Sequence, residues 1–241
     1  TPKFHKYMAD IGVVSGISWD HINVFKTFES YTQQFEIFMK NVSSSLIYYA
    51  GDKNINKIIK KINPEINKIA YNTPKYKIIG NKTFFKNKEL KIFGEHNLQN
   101  LKAAIEVCKL LKVSEKTFLE KISSFTGAKL RMEVIKETSE NIIFRDFAHS
   151  PSKLKASVNA VKMQYKKRKL IACIELHTFS SLEKSFLSEY NGCMRNADYS
   201  IVYFNSGNIK IKQNSNIKKT DIIIAFKHKK LKVFSKLNDL I

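Results

Sequence analysis

The sequence is short of the residues that mark several protein classes. Among its 241 residues are three cysteines, four prolines, eight glycines and a single tryptophan. Cys108, Cys173 and Cys193 have no metal-ligand spacing, which argues against a disulfide-stapled secreted scaffold and against a zinc-ribbon site. Cys108 and Cys173 lie in apolar runs and are expected to be buried thiols of a reducing compartment. No run approaches the roughly 18 apolar residues of a membrane span. The start, Thr1-Pro2-Lys3-Phe4-His5, lacks the basic stretch and apolar core of a signal peptide. A soluble, cytoplasmic chain with no membrane partner is therefore expected.

Arginine is scarce as well. The formal net charge is +21, yet only Arg131, Arg145, Arg168 and Arg195 carry guanidinium groups, and the rest of the positive charge is lysine. Base readout and stacking on bases rely on arginine. The lysines are scattered over the whole chain and accompany abundant Asn and Ile, the pattern that an AT-rich coding sequence produces. The charge reads as composition bias, and no specific nucleic-acid partner is expected. A third absence is the Gly-x-x-x-x-Gly-Lys-Ser/Thr loop, so spacing alone does not establish nucleotide hydrolysis.

What is present is enough to fold. At 43% hydrophobic and 12% aromatic residues the chain can fill a core, and its length suits one large or two ordinary domains. Strands are expected over 11–17, 46–50, 69–71, 77–79, 83–85 and 90–93, with helices beginning near Thr27 and over 54–62. From Leu98 the apolar residues fall at Leu98, Leu101, Ala104, Ile105, Cys108 and Leu111, a helical period. Ser114 caps a further helix that ends before Gly127, the best candidate for a domain boundary. Beyond it, strands over 132–135, 142–144, 170–174, 199–204 and 232–234 alternate with helices over 152–165 and 182–193, with a polar loop running to about Lys219. Such alternation predicts an α/β fold with a parallel, doubly wound sheet.

Three polar stretches stand out from this frame. Trp19-Asp20-His21 follows the first strand, and a histidine there is either a metal ligand or a hydrogen-bonded loop residue. In Gly94-Glu95-His96-Asn97-Leu98-Gln99-Asn100, Gly94 permits a sharp turn into the helix, Asn97 suits its N-cap, and Asn97 and Asn100 share the first turn. Carboxamides suit the edge of a purine base, although a cap and a solvated residue describe this pair equally well. In Asp146-Phe147-Ala148-His149-Ser150-Pro151, Ser150 suits an N-cap and Pro151 the first helical position. That leaves Asp146 and His149 at a strand end near a helix N-terminus, either binding an anion or ribose hydroxyls or standing as a solvated pair.

In this order the three stretches resemble those of the Mur ligases, the ATP-dependent amide ligases of peptidoglycan synthesis. The run Phe125-Thr126-Gly127-Ala128-Lys129-Leu130-Arg131-Met132-Glu133 is similar to that family's junction into its third domain. Ile174-Glu175-Leu176-His177-Thr178-Phe179-Ser180-Ser181 is similar to its strand and histidine-bearing loop. The resemblance spans nearly the whole chain. It implies a central ATPase domain of mostly parallel sheet with helices over 1–127, followed by a Rossmann-like C-terminal domain over 128–241.

It also implies ATP and Mg²⁺, with His21 as a metal ligand, His96, Asn97 and Asn100 at the adenine, Arg131 reaching the nucleotide and Asp146 holding the ribose. His149, Ser150 and His177 would face the incoming amine, His149 as the catalytic candidate. The substrates would be UDP-N-acetylmuramate and an amino acid or short peptide, joined through an acyl phosphate. The wording is nearest the branch that attaches L-alanyl-γ-D-glutamyl-meso-diaminopimelate, with the L-alanine-attaching branch its neighbour. The family's N-terminal UDP-sugar domain and phosphate-binding loop have no counterpart here, and Glu36 stands where several members carry a carbamoylated lysine. The expectation is a ligase fragment, inactive alone and shortened at both ends.

Overall fold

A computed structural model describes residues 2–205 and 217–239, and the chain divides into two compact units, Thr1–Thr126 and Gly127–Ile241. Unit 1 is built on a parallel sheet in the order β1-β2-β3, formed by Ile11–Val14, Ser45–Tyr49 and Asn67–Tyr71. The register pairs Gly12 with Leu46 and Ile47 with Ile69, so all three strands end on one edge. Parallel strands need crossover connections, and helices α1 (Phe28–Lys40) and α2 (Lys53–Ile59) supply them. Their starts follow local chemistry. Thr27 accepts from the Ser30 amide, and Asp52 accepts from the amides of Asn54 and Ile55.

Phe28, Tyr31, Phe35 and Phe38 of α1 pack over a buried cluster that includes Val14, Met39, Val42, Leu46, Ile55 and Ile58. Gly12 permits this approach, because a Cβ there would meet the Val42 side chain at 2.5 Å. An antiparallel meander follows, with β4 (Lys77–Ile79), β5 (Lys82–Phe85) and β6 (Lys88–Leu90). The last strand stops at Leu90, so the strand expected over 90–93 is not formed: Ile92 and Phe93 are buried in the approach to Gly94. Helix α3 (Glu95–Leu110) then lays Leu98, Leu101 and Ile105 on Phe85 and Leu90, while its Ala103 meets Ile47 and Tyr71. Helix α4 (Glu115–Ile122), capped by Ser114, adds Phe118, Leu119 and Ile122 to that cluster.

Unit 2 opens with β7 (Glu133–Glu137) and β8 (Ile142–Arg145), which pair antiparallel around a bulge. The connection is too short for a parallel crossover, and Thr138 bonds the Asn141 amide across it. Helix α5 (Pro151–Gln164) leads to a parallel sheet in the order β11-β10-β9, formed by Leu231–Phe234, Tyr199–Phe204 and Ile171–Leu176. The α/β architecture expected from the sequence is observed in both units.

Three expectations for unit 2 and the thiols need correction. The helix expected over 182–193 is instead two tight 3-10 segments, Ser180–Leu182 and Lys184–Tyr190, separated by an extended Glu183. Ser185, Ser188, Asn191 and Gly192 give the segment poor helix propensity, and packing of Phe186, Leu187 and Tyr190 shapes it. Helix α6 (Lys219–Phe226) was not foreseen, its Ile222-Ile223-Ile224 run being β-branched; most of the polar loop expected before it lies outside the described residues. Of the thiols, Cys173 is exposed, Cys108 half-buried and Cys193 buried, because Cys173 takes the outward-facing alternation of β9. Among the described residues, no helix is long and apolar enough to cross a membrane.

Tyr71 is 2% exposed, and its hydroxyl has no partner within the β3–α3 interface. Burial, with Tyr49 as a lesser cause, pushes its pKa up to about 12. A pKa raised in the folded state stabilises fully below the unfolded value near 10 and loses that contribution as pH rises through about 12. Tyr71→Phe removes an orphaned group and should stabilise the chain by about 1 kcal/mol in urea denaturation at neutral pH. It should also flatten the loss of stability between neutral and strongly alkaline pH.

Candidate functional site

Of the polar stretches singled out in the sequence, residues 19–21 follow the C-terminal end of β1 in the parallel sheet of unit 1, where open α/β sheets bind ligands. The start of α3 is bonded to Tyr49 and Thr73 at the ends of β2 and β3, and residues 146–151 follow the antiparallel β8 and approach His177 beyond the end of β9. In unit 1, the loop after β1 carries Trp19, Asp20 and His21. His21 has a left-handed backbone (φ 54°); its amide donates to Asp20 Oδ1 at 2.8 Å, and its carbonyl accepts from Val24 and Phe25. The Trp19 indole donates to the Phe25 carbonyl at 3.2 Å, so the loop is closed on itself and leaves the His21 side chain exposed.

Helix α3 starts three residues earlier than an Asn97 cap requires. Gly94 is the N-cap, at φ 89° and ψ 141°, a conformation open to glycine and strained for any other residue. Asn97 is the third helical residue, and its Nδ2 donates back to the Phe93 carbonyl at 2.8 Å. It is therefore not the cap. The back-bond uses one of two amide donors and leaves the acceptor for other work. His96 and Asn97 are half-buried, while Asn100 is exposed one turn on. Gln99 and Glu95, on the same turn, reach the hydroxyls of Tyr49 and Thr73 at the ends of β2 and β3.

Glu36 lies on α1, and its carboxylate is bonded to Lys40 at 2.8 Å and Lys61 at 3.0 Å. The Lys40 bond, followed by that to Lys61, holds its carboxyl below the ordinary range. Among the described residues, no three His, Cys, Asp or Glu side chains converge as a metal site. His21 can offer one ligand atom, which does not amount to a magnesium site, since that ion prefers an octahedral shell of oxygens.

In unit 2 the structure brings four candidate or neighbouring residues together. The Arg131 guanidinium lies 5.7 Å from the Phe147 ring centroid, and its Nη1 donates to the Phe147 carbonyl at 3.5 Å. His149 meets Phe147 edge-on at 4.8 Å, and the His177 ring lies 6.4 Å from His149 and 6.3 Å from Phe147. The Tyr190 hydroxyl donates to the His149 carbonyl at 2.6 Å. Asp146 accepts a short hydrogen bond from the Ser157 hydroxyl on α5. Ser150 is the buried N-cap of α5 with Pro151 at the first helical position, yet its side chain makes no cap bond.

Leu130 (φ 59°) and Met132 (φ 52°) flank Arg131 in the left-handed region, at a cost of about 1–2 kcal/mol each. Glu133 pins this turn by accepting from the Leu130 amide and from Arg145 Nη2, both at 3.1 Å. Sequence reasoning missed the Phe147 platform, the Tyr190 and Ser157 supports and the Glu133 pin. None has a fixed spacing from the residue it serves.

Residues 3–108 match the Mur ligase middle domain. The UDP-N-acetylmuramate–L-alanine ligase of Caldicellulosiruptor bescii is 30% identical over 217 residues, covering 83% of this chain and 47% of that protein. The chain thus spans about half the length of the curated relatives it matches. Among solved structures, MurF from Acinetobacter baumannii superposes with a TM-score of 0.73 at 14% identity, over 98% of this chain and 52% of that one. A murein peptide ligase from Psychrobacter arcticus superposes with a TM-score of 0.58 at 21% identity, over 100% of this chain and 52% of that one. At such identities the structural likeness establishes the fold.

The bonds from the Leu130 amide, and after it from Arg145, hold the Glu133 carboxyl below the ordinary range. A depressed carboxyl stabilises above the unfolded value, and the contribution is lost as pH falls through the folded one. Acidification below the ordinary carboxylate range should therefore lower the protection of the Leu130 amide relative to its intrinsic exchange rate and move the Arg131 side-chain resonances. In Glu133→Gln both changes should already be present at neutral pH.

Proposed function

We propose that the chain, whose residues 3–108 match the Mur ligase middle domain, is the nucleotide- and amine-facing part of an ATP-dependent amide ligase of peptidoglycan precursor synthesis. The observation that carries this reading is the 30% identity to an L-alanine ligase over 217 residues, a stretch longer than either compact unit. The reaction is transfer of a phosphoryl group from ATP to the muramoyl carboxylate, followed by attack of the amine on the acyl phosphate and loss of phosphate. Of the two branches suggested by wording, L-alanine attachment has the better support, from curated relatives that carry that name. Attachment of the tripeptide rests on motif wording and on a fold likeness.

Residue roles follow from chemistry and position. His96 and Asn97 on the first turn of α3, with Asn100 on the next, are assigned to the adenine, and Asp146, held by Ser157, to ribose hydroxyls. Arg131 supplies a fixed positive charge toward the nucleotide. His149, the catalytic candidate, and His177, with Ser150 beside them, face the amine. The amine must lose a proton as the amide forms, and an imidazole near neutral pH can take it. Mg²⁺, with His21 as one ligand, would offset phosphoryl charge when bound. A cytoplasmic location suits these substrates.

The test is amide formation by the complete gene product with UDP-N-acetylmuramate, ATP and either L-alanine or the tripeptide as amine. Turnover with L-alanine and none with the tripeptide is the expected result; the reverse would reassign the branch, and no turnover with either would overturn the reading. Asn97→Ala in that enzyme should raise KM for ATP at least about tenfold, more than the ~1 kcal/mol of its bond to Phe93 accounts for.

A further inference from the structure

The start of α3 is tied to the sheet by hydrogen bonds that none of the assigned roles uses. Gln99 Nε2 donates to the Tyr49 hydroxyl at 3.0 Å and to the Thr73 hydroxyl at 2.8 Å. The two hydroxyls are 3.0 Å apart, and Thr73 donates to Glu95 Oε1 at 3.4 Å. The donor count closes in one direction. The carboxamide spends both N–H groups, Tyr49 passes its proton toward Thr73, and the single Thr73 proton goes to Glu95. The run ends on a carboxylate at the first helical position of α3, where the helix dipole favours negative charge.

The backbone is shaped to allow this. Tyr49 closes β2 and turns back over Gly51, where a Cβ would lie 2.5 Å from the tyrosine ring. Thr73 follows the end of β3. Gln99 thereby fastens the turn that carries His96, Asn97 and Asn100 to the ends of two strands at once. The Asn97 bond to Phe93 acts only within its own turn and cannot set where that turn sits on the sheet.

We infer that Gln99 is the positioning residue of the nucleotide turn, acting through Tyr49 and Thr73 and touching no ligand itself. This rests on the nucleotide reading of Asn97 and Asn100 given above. Connected hydrogen bonds of this kind act as a unit, so deletions within it are not additive.

The test compares the parent with Gln99→Leu, Tyr49→Phe and the double variant, by hydrogen exchange of the amides of residues 97–101 in the 241-residue chain and by calorimetric titration of the complete gene product with ADP. Gln99→Leu should speed exchange across the turn and weaken ADP binding about three- to tenfold, with the double variant little worse than Gln99→Leu alone. Tyr49→Phe deletes one hydroxyl and keeps the test decisive if Gln99→Leu folds poorly. Unchanged exchange in both single variants overturns the anchor, whatever the fate of the nucleotide reading. Faster exchange with unchanged ADP affinity overturns the link between the anchor and the nucleotide. Faster exchange with no ADP binding by the complete gene product overturns the nucleotide reading of the turn, and this assignment with it.

Discussion

A strand running parallel to its neighbour delivers its following loop to the same edge as the neighbour's loop, and both units rest on that pairing. In unit 1 the registers of β1, β2 and β3 bring the His21 loop, the Tyr49–Asp52 turn and Thr73 to one edge. In unit 2 the strand end of β9 presents His177, and the chain leaving β8 presents Asp146 and His149. In unit 1 residues far apart in sequence become neighbours because strand direction leaves them no other edge, whereas in unit 2 the antiparallel β8 lies outside the parallel sheet and ring contacts bring His149 to His177. The side chains between them then refine the arrangement: Gln99 across unit 1's edge, and Phe147 as the surface on which Arg131, His149 and His177 gather in unit 2.

Much of the fold was legible because its signals are local. Thr27 and Ser114 cap the helices they precede, since a cap needs only the two or three amides that follow it. Strand stretches of Ile, Val and Tyr were equally plain. Errors arose where tertiary packing outranks local preference. The segment after Ser180 winds tightly because Phe186, Leu187 and Tyr190 must all be buried, with Tyr190 stacked on Phe226 at 4.9 Å. That stack belongs to α6, whose β-branched run conceals its helix.

The candidate site was legible in its polar members and not in their supports. Asp146, His149 and His177 draw attention as chemistry-bearing groups in short loops. Ser157, Tyr190 and Glu133 do not, because what they contribute is one hydrogen bond each at a distance that only the folded chain defines. Asn97 illustrates the intermediate case. Its residue type suits a cap, and the true start at Gly94 follows from a backbone angle that the sequence permits without specifying.

The left-handed pair around Arg131 also bears on how this sequence can drift. A coding sequence rich in A and T pushes toward isoleucine, which one base change can reach from a leucine codon of the TTA type or from the methionine codon. At Leu130 and Met132 that route is closed, because a β-branched side chain is a genuine outlier at positive φ. Mutational pressure and backbone geometry are thus opposed at two positions next to a guanidinium, in a chain that has kept only four arginines.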